Sequence, residues 1–84
     1  MFDVNYSSQA YKFLNNCDKT LAKRILKKIE ELRKTPVIHD SKTIESSKEK
    51  LFRVRVGDYR ILYEVDYNGK IIGIVKIDKR ENAY

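Results

Sequence analysis

The sequence predicts a small α+β domain. An N-terminal strand and a helical hairpin are followed by a three-stranded antiparallel meander, all in one mostly antiparallel sheet with the helices on one face. Three observations carry that prediction. Residues 18–35 place apolar side chains at helical spacing. Residues 51–78 alternate with period two and are punctuated by two glycine-containing turns. At 84 residues the chain has room for a single core, so residues 1–84 read as one domain.

The elements follow in order. Phe2, Val4 and Tyr6 alternate with Asp3 and Asn5, the pattern of a short strand with one buried face. Ser7 or Ser8 offers a hydroxyl cap for a first helix running to about Asn16, with Ala10, Phe13 and Leu14 inward. Asn15-Asn16-Cys17 interrupts it, and Asp18 caps the next. In that second helix Leu21, Ile25, Ile29 and Leu32 form the apolar stripe, widened by Ala22 and Leu26. Lys19, Lys23, Lys27, Arg33 and Lys34 crowd the other positions. Pro36 ends the helix, because the residue before proline avoids helical geometry. Residues 37–50 are polar and rich in Ser and Lys, and read as a surface loop anchored by Ile38 and Ile44.

The meander begins with LFRVRV at 51–56, then Gly57-Asp58 as a two-residue turn, then YRILYEVDY at 59–67. Asn68-Gly69 supplies a second two-residue turn before KIIGIVKID at 70–78. With Gly57-Asp58 as the loop, Val56 faces Tyr59, Arg55 faces Arg60 and Val54 faces Ile61. Opposed side chains share a face. Phe52, Val54, Val56, Tyr59, Ile61, Tyr63 and Val65 therefore turn towards the helices, and Arg53, Arg55 and Arg60 turn away from them.

Like charges opposed across a ladder destabilise it. The expected compensation for Arg55 against Arg60 is a bound anion, and the planar guanidinium fork suits phosphate. The competing reading is a solvated face whose arginines keep the sheet soluble. By simple alternation the same face carries Leu62, Ile71, Val75 and Ile77, an apolar surface that either a partner or the chain itself would cover. Glu64 and Asp66 share that parity and read as charge balance. The same alternation puts Arg80 on the helix face, so a bulge or turn near Asp78 is needed to bring it beside Arg60.

Composition narrows the function. Eighteen Lys and Arg against 12 Asp and Glu leave a net charge of +6, which points to an anionic partner, nucleic acid first. No apolar run reaches the ~18 residues of a membrane span. The first fifteen residues lack the basic start and apolar stretch of a signal peptide. A lone Cys17 makes no internal disulfide, so a reducing cytoplasm is expected. Cys17 and His39 are too few for a four-ligand zinc site, and His39 in the polar loop reads as a surface residue. Gly57, Gly69 and Gly73 are too widely spaced for a phosphate-cradling loop. No cofactor and no metal are expected.

FRVRVGDYRILYEV at 52–65 and KRENAY at 79–84 resemble the RelE/ParE superfamily of bacterial and archaeal toxins, from type II toxin–antitoxin modules. The opening strand, the helical hairpin and the strand spacing extend the resemblance over nearly the whole chain. In its RelE branch the resemblance implies an endoribonuclease that enters the ribosomal A site and cuts mRNA. It implies a RelB-like antitoxin whose helices wrap the toxin, in a complex that binds operator DNA through the antitoxin. By position, Arg53 and Arg55 match the family's paired basic residues on the second strand, and Arg60 the arginine after the aromatic of the GDYR-like turn. Arg80 matches the arginine after the last strand, and Tyr84 the tyrosine a few residues beyond. The resemblance thus implies Arg60, Arg80 and Tyr84 as catalytic, with Arg53, Arg55 and Lys79 binding RNA. The chain departs from the pattern at Lys79, where many relatives carry His, and in stopping at Tyr84, where some run on into a further helix.

The chemistry fits those residue types. Cutting RNA without metal means attack by the neighbouring 2′-hydroxyl on its phosphate, and fixed guanidinium groups stabilise the charge that gathers. A base must take the hydroxyl proton and an acid must protonate the leaving oxygen. Arginine, with a pKa above about 12, is a poor base; Tyr84, ordinarily near about 10, is the titrating group of the motif. The expected roles are Tyr84 as base or stacking platform, Arg60 on the phosphorane and Arg80 at the leaving oxygen. Two other readings compete: a ParE-like poison of DNA gyrase, and a non-catalytic basic binding module. The antitoxin is expected over Leu62, Val75 and Ile77 and on the exposed side of the helix at 18–35.

Overall fold

A computed structural model describes residues 1–36, 42–44 and 51–79. The elements are β1 (Asp3–Tyr6), α1 (Ser8–Asn16), α2 (Lys19–Lys34), β2 (Lys42–Ile44), β3 (Leu51–Val56), β4 (Tyr59–Asp66) and β5 (Ile71–Lys79). They form one sheet in the order β1-β5-β4-β3-β2. The meander β3–β4–β5 is antiparallel, β1 adds parallel to β5, and β2 adds antiparallel to β3. The predicted α+β class is found.

Local chemistry sets the helix ends. Of the two candidate caps it is Ser7 that is extended, with its Oγ accepting the Ala10 N–H. The Cys17 N–H returns to the Phe13 carbonyl and closes α1, while its thiol points at the Leu14 carbonyl, 3.7 Å away. Asp18 then accepts the Leu21 N–H at 2.9 Å and starts α2. The stripe of Leu21, Ile25, Ile29 and Leu32 is buried as expected, but Leu26 is 43% exposed and lies off it. The far end of α2 is tied down twice. The Tyr63 hydroxyl donates to the Pro36 carbonyl at 2.7 Å, and Arg33 Nε donates to the Phe2 carbonyl at 2.9 Å.

The core lies between the helices and the inner face of the sheet. Val54, Ile61, Tyr63, Ile72, Ile74 and Ile77 pack with Ala10, Ile25, Ile29 and Leu32. Phe52 stacks on Tyr63 with ring centroids 5.5 Å apart. The inner face predicted for β3 and β4 is found, and Val56↔Tyr59, Arg55↔Arg60 and Val54↔Ile61 pair as predicted. Gly57, with φ +60, supplies the left-handed residue of that two-residue turn.

Four local expectations change. The stretch 37–50 contains β2, so the sheet has five strands among the described residues; β2 covers the edge of β3, which would otherwise present unpaired backbone groups. Ile38 and His39 lie outside the described residues. The second turn is longer than predicted. Asp66 pairs with Ile71, residues 67–70 form the loop, and Lys70 rather than a glycine takes the positive φ of 54. Asp66 Oδ1 accepts the Gly69 N–H at 3.1 Å, and this aspartate-capped turn wins over the Asn-Gly preference. Tyr6 is 38% exposed, because β1 is the edge strand and the inner face thins there.

The largest change is in β5. Leu62 pairs with Lys76 and Tyr63 with Ile74, so Val75 is an extra residue that opposes nothing. The bulge reverses the phase of everything after it. Ile72, Ile74 and then Ile77 turn inward and are buried. Simple alternation would have exposed Ile77 and buried Lys76. Burying Ile77 contributes about 1.5–3 kcal/mol, and an unpaired lysine in the core would cost more than that. The run Ile-Gly-Ile-Val-Lys-Ile-Asp therefore selects the bulge. The expectation that Ile77 sits on the arginine face is wrong, and Ile77 cannot form part of a partner surface there.

Candidate functional site

The outer face of the sheet is built from alternate residues of adjacent strands. From β3 come Leu51, Arg53 and Arg55; from β4 come Arg60, Leu62, Glu64 and Asp66. From β5 come Ile71 and Gly73 and, in the phase restored by the bulge, Lys76 and Asp78. Arg53, Arg55 and Arg60 thus share one face, as the register predicts. Arg55 is exposed, Arg53 half-buried and Arg60 only 8% exposed.

Asp78 is the residue that the sequence did not single out for this site. It stands opposite Arg60 across the β4–β5 ladder, and Arg60 Nε lies 3.5 Å from its Oδ1. Its other oxygen, Oδ2, lies 3.4 Å from Lys76 Nζ. The row Arg55–Arg60–Asp78 runs straight across three strands. The repulsion between Arg55 and Arg60 is therefore offset from inside the fold, and no bound anion is required to explain it. The signal was present in Lys76-Ile77-Asp78. An isoleucine between two charged residues, late in a strand, marks the inward position and puts both neighbours outward.

The rest of the face is graded in charge. Beside Asp78 the described cations are Arg53, Arg55, Arg60 and Lys76. At the opposite end stand Glu64 and Asp66, bordering an open depression of about 750 Å³ that also takes in Phe52 and Val65 from the helix-facing side. Leu62 lies between the two ends and is half-buried, and Val75 is 37% exposed at the bulge. A further cation comes from α2. The Arg24 guanidinium packs on the β3–β4 turn, where a Cβ on Gly57 would lie 3.0 Å from it. This side chain, too, went unremarked in the sequence, because its proximity depends on how α2 crosses the sheet.

The remaining expected residues are not all brought together. Lys79 pairs with Tyr59, so its register is that of the helix-facing row rather than of Arg60. Arg80 and Tyr84 lie outside the described residues. Among the described residues no three His, Cys, Asp or Glu side chains group as metal ligands, and no helix is long and apolar enough to cross a membrane. Chemically the basic end offers the exposed Arg55 and the half-buried Arg53, backed by Arg60, which is buried and paired with Asp78. That arrangement suits a phosphodiester lying along β3 and β4.

Comparison with known proteins converges on one family. The family model described as "ParE toxin of type II toxin-antitoxin system, parDE" matches residues 4–84. A relative from Methanocaldococcus jannaschii, named "Putative toxin RelE1", is 32% identical over 85 residues, covering 99% of this chain and 94% of the relative. The toxin in the archaeal RelE-RelB complex from Pyrococcus horikoshii superposes with a TM-score of 0.84 at 31% identity, with 98% of each chain covered. The isolated RelE toxin of E. coli shares the fold, with a TM-score of 0.81 at 17% identity over 94% of this chain and 84% of that one.

Proposed function

We propose that this chain, which belongs to the RelE/ParE superfamily of type II toxins, is a ribosome-dependent mRNA endonuclease working without metal. The observation that carries the reading is the single outer face on which Arg53, Arg55 and Arg60 are assembled from two adjacent strands. Arg53 and Arg55 hold the RNA backbone, each able to fork a phosphate with two parallel hydrogen bonds. Arg60 is held in place before any substrate arrives, by burial and by Asp78. A charge that need not reorganise is the kind that stabilises a pentacoordinate phosphorane more than the ground state.

In the reaction the 2′-oxygen attacks phosphorus, its proton goes to a base, and the bond to the 5′-oxygen breaks as that oxygen gains a proton. The products are a 2′,3′-cyclic phosphate and a 5′-hydroxyl. Tyr84 takes the role of base or stacking platform and Arg80 assists the leaving oxygen. The assignment of Arg80 rests on its match to the family motif; among the described residues the bulge at Val75 brings Lys76 and Asp78 to the face of Arg60. Lys79 contacts the backbone from the rim. The cellular setting is the cytoplasm, and the restraining partner is a RelB-like antitoxin, which is what accompanies the similar toxin from Pyrococcus horikoshii. The apolar positions left for that partner are Leu62 and Val75, with the exposed side of α2. Operator DNA would be bound by the complex through the antitoxin.

One observation favours a second reading. The family model that matches is named for ParE, which directs attention to DNA gyrase. Induction of the protein, with primer extension across translated messages and a parallel supercoiling readout, separates the two. Cuts inside codons support the nuclease, whereas gyrase-linked DNA breaks with intact messages would replace it. Single-turnover cleavage of programmed ribosomes then tests the residues. Arg60→Ala and Tyr84→Phe are each expected to slow cleavage about 100-fold or more, and near wild-type rates in both would remove these assignments.

A further inference from the structure

We propose that Gln9 is a positioning residue for the arginine face, acting through the backbone of β5. Strand β1 stops pairing with β5 at Tyr6↔Ile74, and the chain leaves through Ser7, whose N–H donates to the Ile74 carbonyl at 2.9 Å. Beyond that point the outer edge of β5 has lost its neighbouring strand, at the place where the bulge has broken the ladder to β4 on the other side. Two side chains at the start of α1 take over. Ser7 Oγ donates to the Val75 carbonyl at 2.7 Å while it caps the helix. The Gln9 carboxamide does more. Its Oε1 accepts the Ile77 N–H at 2.9 Å and its Nε2 donates to the Ile77 carbonyl at 2.7 Å.

A carboxamide carries one acceptor and one donor group side by side, so it pairs with both backbone groups of Ile77 as a neighbouring strand residue would. Only one orientation of the amide satisfies both contacts. Glutamate has the same shape but, ionised, can only accept, and its oxygen would face the Ile77 carbonyl. The next residue is Asp78, whose carboxylate holds Arg60 Nε and Lys76 Nζ. Gln9 is thus one backbone step from the group that orients the buried arginine. It touches no substrate, and its effect on cleavage is carried by the placement of Asp78 and Arg60.

The activity arm of the test rests on the nuclease reading above, so a structural arm runs beside it. In Gln9→Glu the second carboxylate oxygen meets the Ile77 carbonyl where Nε2 had donated, and this repulsion drives the side chain off the strand; the Ile77 amide is then expected to exchange about tenfold faster and the Arg60 Nε–H resonance to move. At saturating ribosomes the single-turnover rate is expected to fall about tenfold with unchanged ribosome affinity. Ile29→Val, a conservative core change on α2 that lowers global stability while leaving Gln9, Asp78 and Arg60 unaltered, should leave both the Arg60 signal and the rate at wild type. Gln9→Asn, which keeps both groups but is one methylene short, is the substitute if Gln9→Glu does not fold. An unmoved Arg60 signal in the Gln9 variant overturns the proposal, as does an equal rate loss in Ile29→Val. If the wild-type protein cleaves nothing, the nuclease reading fails while the Arg60 signal still decides the role of Gln9.

Discussion

Removing Asp78 tests whether the arginine face is neutralised from within. Arg60 and Asp78 expose 9% and 15% of their side chains and lie 3.5 Å apart. At an effective dielectric constant of about 20, unit charges at that separation attract by roughly 5 kcal/mol, most of which offsets the cost of taking both out of water. Deleting one partner of such a pair forfeits the attraction while the other remains desolvated, and typically costs about 3–5 kcal/mol. The two deletions should differ. Asp78→Asn takes away the carboxylate in register with Arg60 and leaves Arg55 opposite it, so we expect a loss of about 3 kcal/mol. Arg60→Met leaves Asp78 with Lys76, 3.4 Å away and 52% exposed, and should cost nearer about 1–2 kcal/mol. In urea denaturation the double variant should show a coupling of about 1–3 kcal/mol. Inorganic tripolyphosphate should then stabilise Asp78→Asn more than wild type, because an external anion replaces the missing carboxylate. Additive single losses would refute the pair. Equal stabilisation of both proteins by tripolyphosphate would refute the claim that the face accepts phosphate beside Arg60.

Three smaller perturbations test other parts of the argument. Gly57→Ala forces a side chain into the left-handed region and towards Arg24, and should lose about 1–2 kcal/mol in the same urea assay; no loss would mean that the turn has another conformation. Ser7→Ala should lose about 1–2 kcal/mol, since one hydroxyl both caps α1 and holds the Val75 carbonyl, whereas Ser8→Ala should change stability little; the reverse order would move the cap. Burial pushes the Tyr6 hydroxyl above its ordinary pKa, Glu30 adds to this, and Arg33 opposes it. The folded protein then holds that proton more tightly than the unfolded chain. The stability it contributes is complete below about pH 10 and is lost as pH rises through the folded-state value. Tyr6→Phe should therefore lose less stability than wild type as pH rises from about 10 through the folded-state value, and an identical alkaline slope would contradict the partial burial of that hydroxyl.

What the sequence could and could not show divides along one physical line. Periodicity and caps are local, and they were readable. Asp18 starts α2, Pro36 stops it, and Gly57-Asp58 fixes the register that puts Arg55 against Arg60. Each depends on residues within a turn or two of each other. The short strand β2 was hidden because three residues in a polar stretch carry no usable period, and its formation depends on the open edge of β3.

The motif asks for a bulge or turn near Asp78, but its place at Val75 was hidden for a different reason, and it matters most for the site. A single extra residue in a strand leaves composition and average hydrophobicity unchanged, yet it exchanges the two faces for every residue after it. Counting by twos put Ile77 outside and Asp78 inside. Asking which of Lys76 and Ile77 the core would accept gives the opposite answer, because the energy of burial distinguishes them where parity does not. That one step delivers Asp78 to Arg60 and turns an apparent array of like charges into a compensated row. It also explains why the clamps that hold the row come from α1, since Ser7 and Gln9 reach β5 just where β1 no longer can.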